Sequence, residues 1–335
     1  MALGAVGALG CLAGLEAWLR SPAILHCDPK HLLVHSQDQV TQTALSIRRN
    51  SEHPAGILFF GGSAQRESLD SEIQLGKDIA GRVGETVSVL AVGTRNQSFA
   101  ETRLLWDYIP KASSPLAVAV LAVNPWMFTF PVESPEEEYA RYWLLPLPRS
   151  LGAIPTPQHL MLWGVQHYLS AYWHEHAAIL KTGRLPETQY NLHPYDEMPA
   201  WDGNMKSKRL AMLAKERAQF FEGRFGFHAA QLSRLVGEVR ARGYTPVWLE
   251  TPRHADLQGT FASLYGQYFS DIDGIAAKFG VSHLDFQKDH AFGTSAFYDL
   301  AHLRPSARPA YRAWLVAELG RLVRPARVND VQVVP

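Results

Sequence analysis

Gly56-Ile57-Leu58-Phe59-Phe60-Gly61-Gly62-Ser63 is the stretch that decides how the chain is read. Its opening residues carry no charge and no breaker, the pattern of a buried strand, and the two glycines deliver a serine to the strand's end. Ala64-Gln65-Arg66-Glu67-Ser68-Leu69 then turns polar and helix-compatible. A strand, a glycine turn and a helix start together set a serine hydroxyl at the open carboxyl edge of a parallel sheet. The serine's backbone N–H then lies in the first helical turn, able to face a developing negative charge. The same residues also suit an ordinary strand-to-helix turn with Ser63 as the N-cap. The rest of the chain separates these two readings.

Working outward, Thr86–Val92 reads as a second strand ending in Gly93, and Leu116–Val123 as a third ending in Asn124-Pro125. Thr245–Glu250 and Val281–Phe286 complete the set. Between them lie amphipathic helices at Ile73–Val83, Phe99–Ile109, Met205–Phe221, Ala229–Arg242 (closed by Gly243), Phe261–Phe279 (closed by Gly280) and Arg308–Val323, with a further helical run near Val40–Arg49. Near-continuous apolar strands alternating with helices predict a three-layer α/β/α fold, a doubly wound parallel sheet of about five strands. From Trp126 to about residue 230 the rhythm gives way to prolines, aromatics and helical pieces, notably near Gln158–Lys181. This block reads as a helical insertion over the carboxyl edge of a single domain spanning residues 21–335.

Composition excludes several classes. Of 335 residues 47% are apolar, and 32 basic side chains balance 32 acidic ones, so a large core is available and nothing favours a nucleic-acid partner. The aromatic richness between residues 126 and 230 suits either extra core or a carbohydrate- or lipid-facing surface. Cys11 and Cys27 cannot make a disulfide framework or a zinc site of the CxxC…CxxC kind. Residues Met1–Leu19 are almost wholly apolar, interrupted by Glu16 and closed by Arg20. Their length suits a membrane anchor, a helix packed on the domain, or a cleaved signal, and an anchor would place the domain outside the cytoplasm.

In a parallel sheet the carboxyl ends of all strands share one edge, so Ser63, Gly93 and Asn124 converge there with Asp299-Leu300-Ala301-His302, which precedes the last helix. The chemistry asks for such a set. A serine hydroxyl is a poor nucleophile until an imidazole takes its proton, and His302 is the candidate base. Asp299 can turn back to fix the imidazole's tautomer and stabilise its charge. Three donors could meet an oxyanion: the N–H of Ser63, the N–H of Gly93 and the Asn124 amide. Asp285, Asp289 and His290 form a competing Asp/His source that ranks below on position.

The order Gly-Gly-Ser, strand-end glycine, strand-end asparagine and late Asp-x-x-His resembles the SGNH (GDSL-type) hydrolase superfamily over roughly residues 55–125 and 243–323. More narrowly, Asp299-Leu300-Ala301-His302-Leu303 before a helix, and Gly243 through Thr251-Pro252 into a long helix, are similar to DltD-like and polysaccharide O-acetylation proteins. The resemblance implies Ser63 as nucleophile, His302 as base, Asp299 as its orienter, and Ser63, Gly93 and Asn124 as the oxyanion hole. It implies no cofactor and no metal. It also implies acyl chemistry on an ester or cell-surface glycan outside the bacterial cytoplasmic membrane, in the periplasm, with a membrane acyl-donor protein as a partner. The sequence departs from the family pattern where Gly-Gly-Ser replaces Gly-Asp-Ser, and where Ala-Val-Asn-Pro replaces Gly-x-Asn-Asp. Pro125 thereby removes one backbone donor.

Arg66, Arg95 and Gln97 follow the first two strands and are candidates for orienting substrate, or for tying loops to carboxylates; Trp126 is expected to wall the pocket. His174-Glu175-His176 cannot grip one ion from a helix, because positions i and i+2 point about 200° apart. Pro135–Glu138 suits a helix's acidic first turn, and Trp163, Tyr168, Tyr172 and Trp173 suit core packing. The expected activity is ester hydrolysis or O-acyl transfer through an acyl-serine. The competing expectation is an inactive member of the fold that serves as a binding component in polysaccharide export.

Overall fold

The computed structural model describes residues 2–19, 56–94, 97–107, 109–114, 116–131, 196 and 198–323. The chain divides into two compact units, Met1–Asn50 with Glu133–Asn191, and Ser51–Val132 with Leu192–Pro335. Of the first unit only α1 (Ala2–Leu19) is described. Among the described residues no helix is long and apolar enough to cross a membrane. Val40–Arg49, Arg95, Pro135–Glu138, Gln158–Lys181, Trp163, Tyr168, Tyr172, Trp173 and His174-Glu175-His176 lie outside the described residues.

The second unit is built on β1 (Ile57–Gly61), β2 (Val89–Gly93), β3 (Val118–Val123), β4 (Thr245–Glu250) and β5 (Ser282–Leu284). All pair in parallel in the order β2-β1-β3-β4-β5. The chain winds one way from β1 to β2 and the other way from β3 onward. The crevice between the carboxyl ends of β1 and β3 is therefore the switch point at which such sheets bind ligands. Ser63 follows one of these strands and Asn124 the other.

Alternate residues of each central strand serve opposite faces. Ile57, Phe59, Val118, Val120, Val247 and Leu249 form one core with Leu75 and Ile79 of α3 (Glu72–Val83) and with Tyr311, Leu315 and Leu319 of α10 (Arg308–Leu322). Leu58, Phe60, Leu121 and Trp248 are buried on the other face. There Phe60 meets the edge of Trp106, from α4 (Phe99–Trp106), at 5.4 Å. Helices cover both faces, as a parallel sheet requires, which explains why its strands read as continuous apolar runs.

The path from β1 into α2 (Ser63–Ser68) depends on Gly61. A β-carbon there would lie 2.5 Å from Cβ of Ala122 and 2.8 Å from Cβ of Gln65, so α2 can cross the strand end this closely only above a bare α-carbon. We expect Gly61→Ala to lower stability by about 1–3 kcal/mol through overpacking, read as a shift in the urea midpoint, and to displace Ser63 with α2.

The remaining helices are α5 (Gly203–Glu216), α6 (Phe221–Ala241), α7 (Ala255–Thr260), α8 (Ala262–Phe279) and α9 (Phe286–Asp289). Gly243 and Gly280 take the left-handed conformation just past α6 and α8, as their positions in the sequence suggest. The expected break before Ala229 is absent. α6 already begins at Phe221, where Phe225 stacks on Phe128 at 4.9 Å and draws the helix back over the sheet.

A hydrogen-bonded chain, buried at Glu250 and exposed at Asp273, ties α8 to β4 and β5. Glu250, at the carboxyl end of β4, accepts hydrogen bonds from Tyr268 and from His283 Nε2, the latter at 2.9 Å. The other ring nitrogen of His283 is 2.6 Å from Asp273 Oδ1. An acidic side chain at each nitrogen favours a proton on both, the imidazolium form. Burial alone would lower the pKa of His283, but the bonds and charges of Glu250 and Asp273 outweigh it and raise it. Burial also raises the pKa of Glu250. Both groups thus hold protons more tightly folded than unfolded. The contribution of His283 is complete below the ordinary histidine value of about 6.5, that of Glu250 below the ordinary glutamate value of about 4.3, and each is lost as pH rises through that group's own elevated value. His283→Gln is expected to cost about 3 kcal/mol at neutral pH and to flatten this alkaline decline, read from melting temperatures across a pH series.

Candidate active site

Ser63 is not the N-cap. Gly62 occupies that position in extended backbone, its carbonyl accepting from the N–H groups of Gln65 and Arg66 at 3.1 Å each, and Ser63 is the first helical residue. The serine hydroxyl is instead engaged across the fold, 2.9 Å from Nε2 of His302. His302 Nδ1 lies 2.7 Å from Asp299 Oδ2, and Asp299 Oδ1 accepts from the N–H groups of Ala301 and His302 at 2.8 Å each. Residues 239 positions apart thus form one hydrogen-bonded chain.

The loop carrying Asp299 and His302 is closed on itself. Phe297 and Leu303 form an antiparallel bridge, and Tyr298 N–H donates to the His302 carbonyl at 2.9 Å. Three outside contacts hold it in place. Trp201 N–H donates to Tyr298 O at 2.7 Å, His254 N–H to Leu300 O at 3.0 Å, and the buried Arg308 guanidinium to Leu303 O at 3.0 Å. Arg308 also grips Asp196, which Tyr298 contacts as well.

The hydrogen-bond inventory fixes the protons. Burial works to raise the pKa of Asp299, but the bond and charge of His302 and the two backbone donors prevail and lower it, so the carboxylate is ionised at neutral pH. An ionised acceptor at Oδ2 requires the proton on Nδ1, so in the neutral ring Nε2 is the acceptor facing the serine hydroxyl. That is the tautomer able to take a proton from Ser63.

Ser63, Asp299 and His302 line a cavity of about 380 Å³, the size of a small-ligand site. Asn124 and Trp126 line it too. Asn124 Oδ1 accepts from Met127 N–H at 3.2 Å, capping the short 3₁₀ helix Pro125–Thr129. That bond identifies the oxygen and leaves the amide's N–H₂ as the remaining group, beside the cavity and able to donate. Pro125, the departure noted in the sequence, occupies the first turn of that helix, where no N–H is required. Trp126 stands edge-on to Phe261 at 4.9 Å and forms a wall, as expected.

Other expected residues are placed differently. Gly93 is not among the residues lining the cavity; it pairs in register with Gly61, and a β-carbon on it would sit 3.1 Å from Cβ of Arg66. Its missing side chain makes room for Arg66. That arginine is only 5% exposed, bonded to Glu67 at 3.2 Å, and not positioned to meet a ligand in this cavity. Gln97 lines the cavity, yet its amide is committed to Thr94 N–H at 3.0 Å and Thr102 Oγ1 at 2.9 Å. The competing acid–histidine source is used elsewhere. Asp285 makes a two-pronged pair with Arg253 at 2.9 and 2.8 Å, and His290 stacks on Phe286 at 4.6 Å.

Sequence reasoning missed Arg209 and Arg217, which line the same cavity, along with Trp201 and Thr251. Thr251 directly follows β4, so the rule that strand ends converge could have found it. The two arginines sit on or beside α5, whose presence the sequence predicts but whose facing it does not.

Compared with protein-family models and with curated proteins, the chain matches none.

Proposed function

We propose that the protein is an SGNH-type serine enzyme that hydrolyses an acyl ester, or transfers its acyl group to a hydroxyl-bearing glycan, through an acyl-serine. The observation that carries this reading is the unbroken chain from Asp299 through His302 to Ser63 at the wall of a ligand-sized cavity. In the reaction, Ser63 Oγ attacks the ester carbonyl as His302 Nε2 takes its proton. The tetrahedral oxyanion is met by donors beside Ser63, for which its own N–H and the Asn124 amide are the candidates. Collapse expels the alcohol, which takes the proton back from His302. Water, or a sugar hydroxyl admitted in its place, then attacks the acyl-serine with His302 again acting as base. These steps draw on side chains and backbone alone.

The resemblance noted in the sequence favours a short acyl group such as acetyl, a surface-glycan acceptor and action outside the cytoplasm, served by a membrane acyl donor. The test is phenolate release from a chromogenic acetyl ester, followed with and without added oligosaccharides. Turnover that needs Ser63 supports the reading, and acceleration with acetylated sugar as product identifies transfer. Background rates under every condition count against it.

A further inference from the structure

The cavity carries a second feature that the acyl chemistry does not use. Arg209 and Arg217 line it with Ser63, and the only lining carboxylate among the described residues is Asp299. Asp299 is already committed, Oδ1 to two N–H groups and Oδ2 to His302. Neither arginine has an ion pair among the described residues. Arg217 donates to Thr129 Oγ1 at 2.8 Å and to Trp126 O at 2.7 Å, with its guanidinium 4.4 Å above the Phe130 ring. Arg209 contacts Met212 Sδ at 3.2 Å. All these partners are neutral. They fix Arg217 in place without a direct ion pair among the described residues, an arrangement that suits a guanidinium to a planar, two-pronged bond to an anion.

Arg217 is also held down at about 10, by burial first and then by the positive charges of Arg209 and Arg224, against the opposing charge of Glu216. Burial and like charge both oppose its ionisation, and the charge of a ligand anion would offset both.

We propose that the ester-bearing molecule accepted at Ser63 is anionic, and that Arg209 and Arg217 recognise its carboxylate or phosphate group. This rests on the acyl-serine reading for the word ester; the anion preference of the cavity stands apart from it. A neutral ester would offer the two cations no charged partner. An anionic one gains charge-assisted hydrogen bonds from donors already in position. Arg209 and Arg217 are accordingly specificity residues, reached from outside the sheet frame that supplies the serine chemistry.

The test uses the full chain carrying Ser63→Ala, so that esters bind without turning over, and measures affinity by calorimetry. One arm compares 4-acetoxybenzoate with its methyl ester, which places the charge on the alcohol side. The other compares monophenyl succinate with its methyl ester, which places it on the acyl side. We expect the anion to bind about tenfold tighter or more in at least one arm, and the preference to shrink as salt is raised to about 0.3 M. Arg209→Gln, at an exposed helix position, should cut the preference several-fold without changing the melting temperature. Arg217→Lys, which keeps the charge but loses the fork, should lower it less than Arg217→Gln. Equal affinity for anion and methyl ester in both arms overturns the inference, as does a preference untouched by Arg209→Gln together with Arg217→Gln. Anion preference in a wild-type protein that never forms an acyl-serine would support this inference and refute the reading of the reaction.

Discussion

Replacing Ser63 by alanine is expected to lower the wild-type rate of acetyl-ester turnover by about 10⁴-fold or more, to near the uncatalysed background, with the melting temperature almost unchanged. The size of the loss follows from the position of the hydroxyl. It lies 2.9 Å from His302 Nε2 at the cavity wall. The stability expectation follows from the backbone: Ser63 is not the cap of α2, so removing its hydroxyl leaves the helix start intact. His302→Ala should give a comparable loss, and the double variant no more than either alone, because the two groups act as one unit. Steady-state rates of the three variants beside wild type check this.

Asp299→Asn is expected to cost about 10³–10⁴-fold in turnover while preserving the loop. The argument runs through atoms already placed. The N–H groups of Ala301 and His302 both point at Oδ1, so the asparagine's oxygen must stay there. Its N–H₂ then occupies the place of Oδ2, 2.7 Å from His302 Nδ1. A donor facing Nδ1 forces the imidazole proton onto Nε2, the nitrogen that should receive the serine's proton. The base is therefore held in the wrong tautomer, and the defect should appear in the chemical step with substrate affinity little changed. Asp299→Ala, which leaves the two N–H groups without an acceptor, should lose both activity and loop order. The lowered pKa of Asp299 adds a sign: its stabilising contribution is present above the ordinary carboxylate range and is lost only as pH falls through the lowered value.

The sheet was legible because strands covered on both faces must be apolar at every position, and Leu116–Val123 or Gly56–Phe60 can hardly be anything else. Strand ends were sharper than strand starts in β1 to β4, whereas the fifth strand, expected to run to Phe286, stops at Leu284 and Phe286 opens α9. The second strand was expected from Thr86 but pairs only from Val89, since Val87 is buried as part of the approach to the sheet and its apolar character mimics strand. Gly223 and Gly226 disguised the first half of α6. A β-carbon at either would meet nothing within 4 Å, so they sit on the helix's outer surface and cost about 1 kcal/mol each, which aromatic packing offsets.

At the site, the Ser–His–Asp set was readable from order and strand-end placement, because parallel topology converts sequence order into proximity. The expected roles of Arg66 and Gly93 were less secure for a local reason. Closeness to a strand end does not say on which side of α2 a side chain lies, and Arg66 turns onto Gly93. Arg209 and Arg217 were invisible because helical periodicity reports an apolar face and is silent on which polar residues overlook a cavity.

The most direct test of the acyl-serine is its capture. The full chain would be mixed briefly with an activated acetyl ester, quenched in acid, and its peptides mapped by mass spectrometry. The account predicts an acetyl group on the peptide containing Ser63, located on that serine, absent from Ser63→Ala and formed far more slowly in His302→Ala. Acetylation spread equally over surface lysines in all three proteins, with none at Ser63 and no rate difference among them, would contradict it.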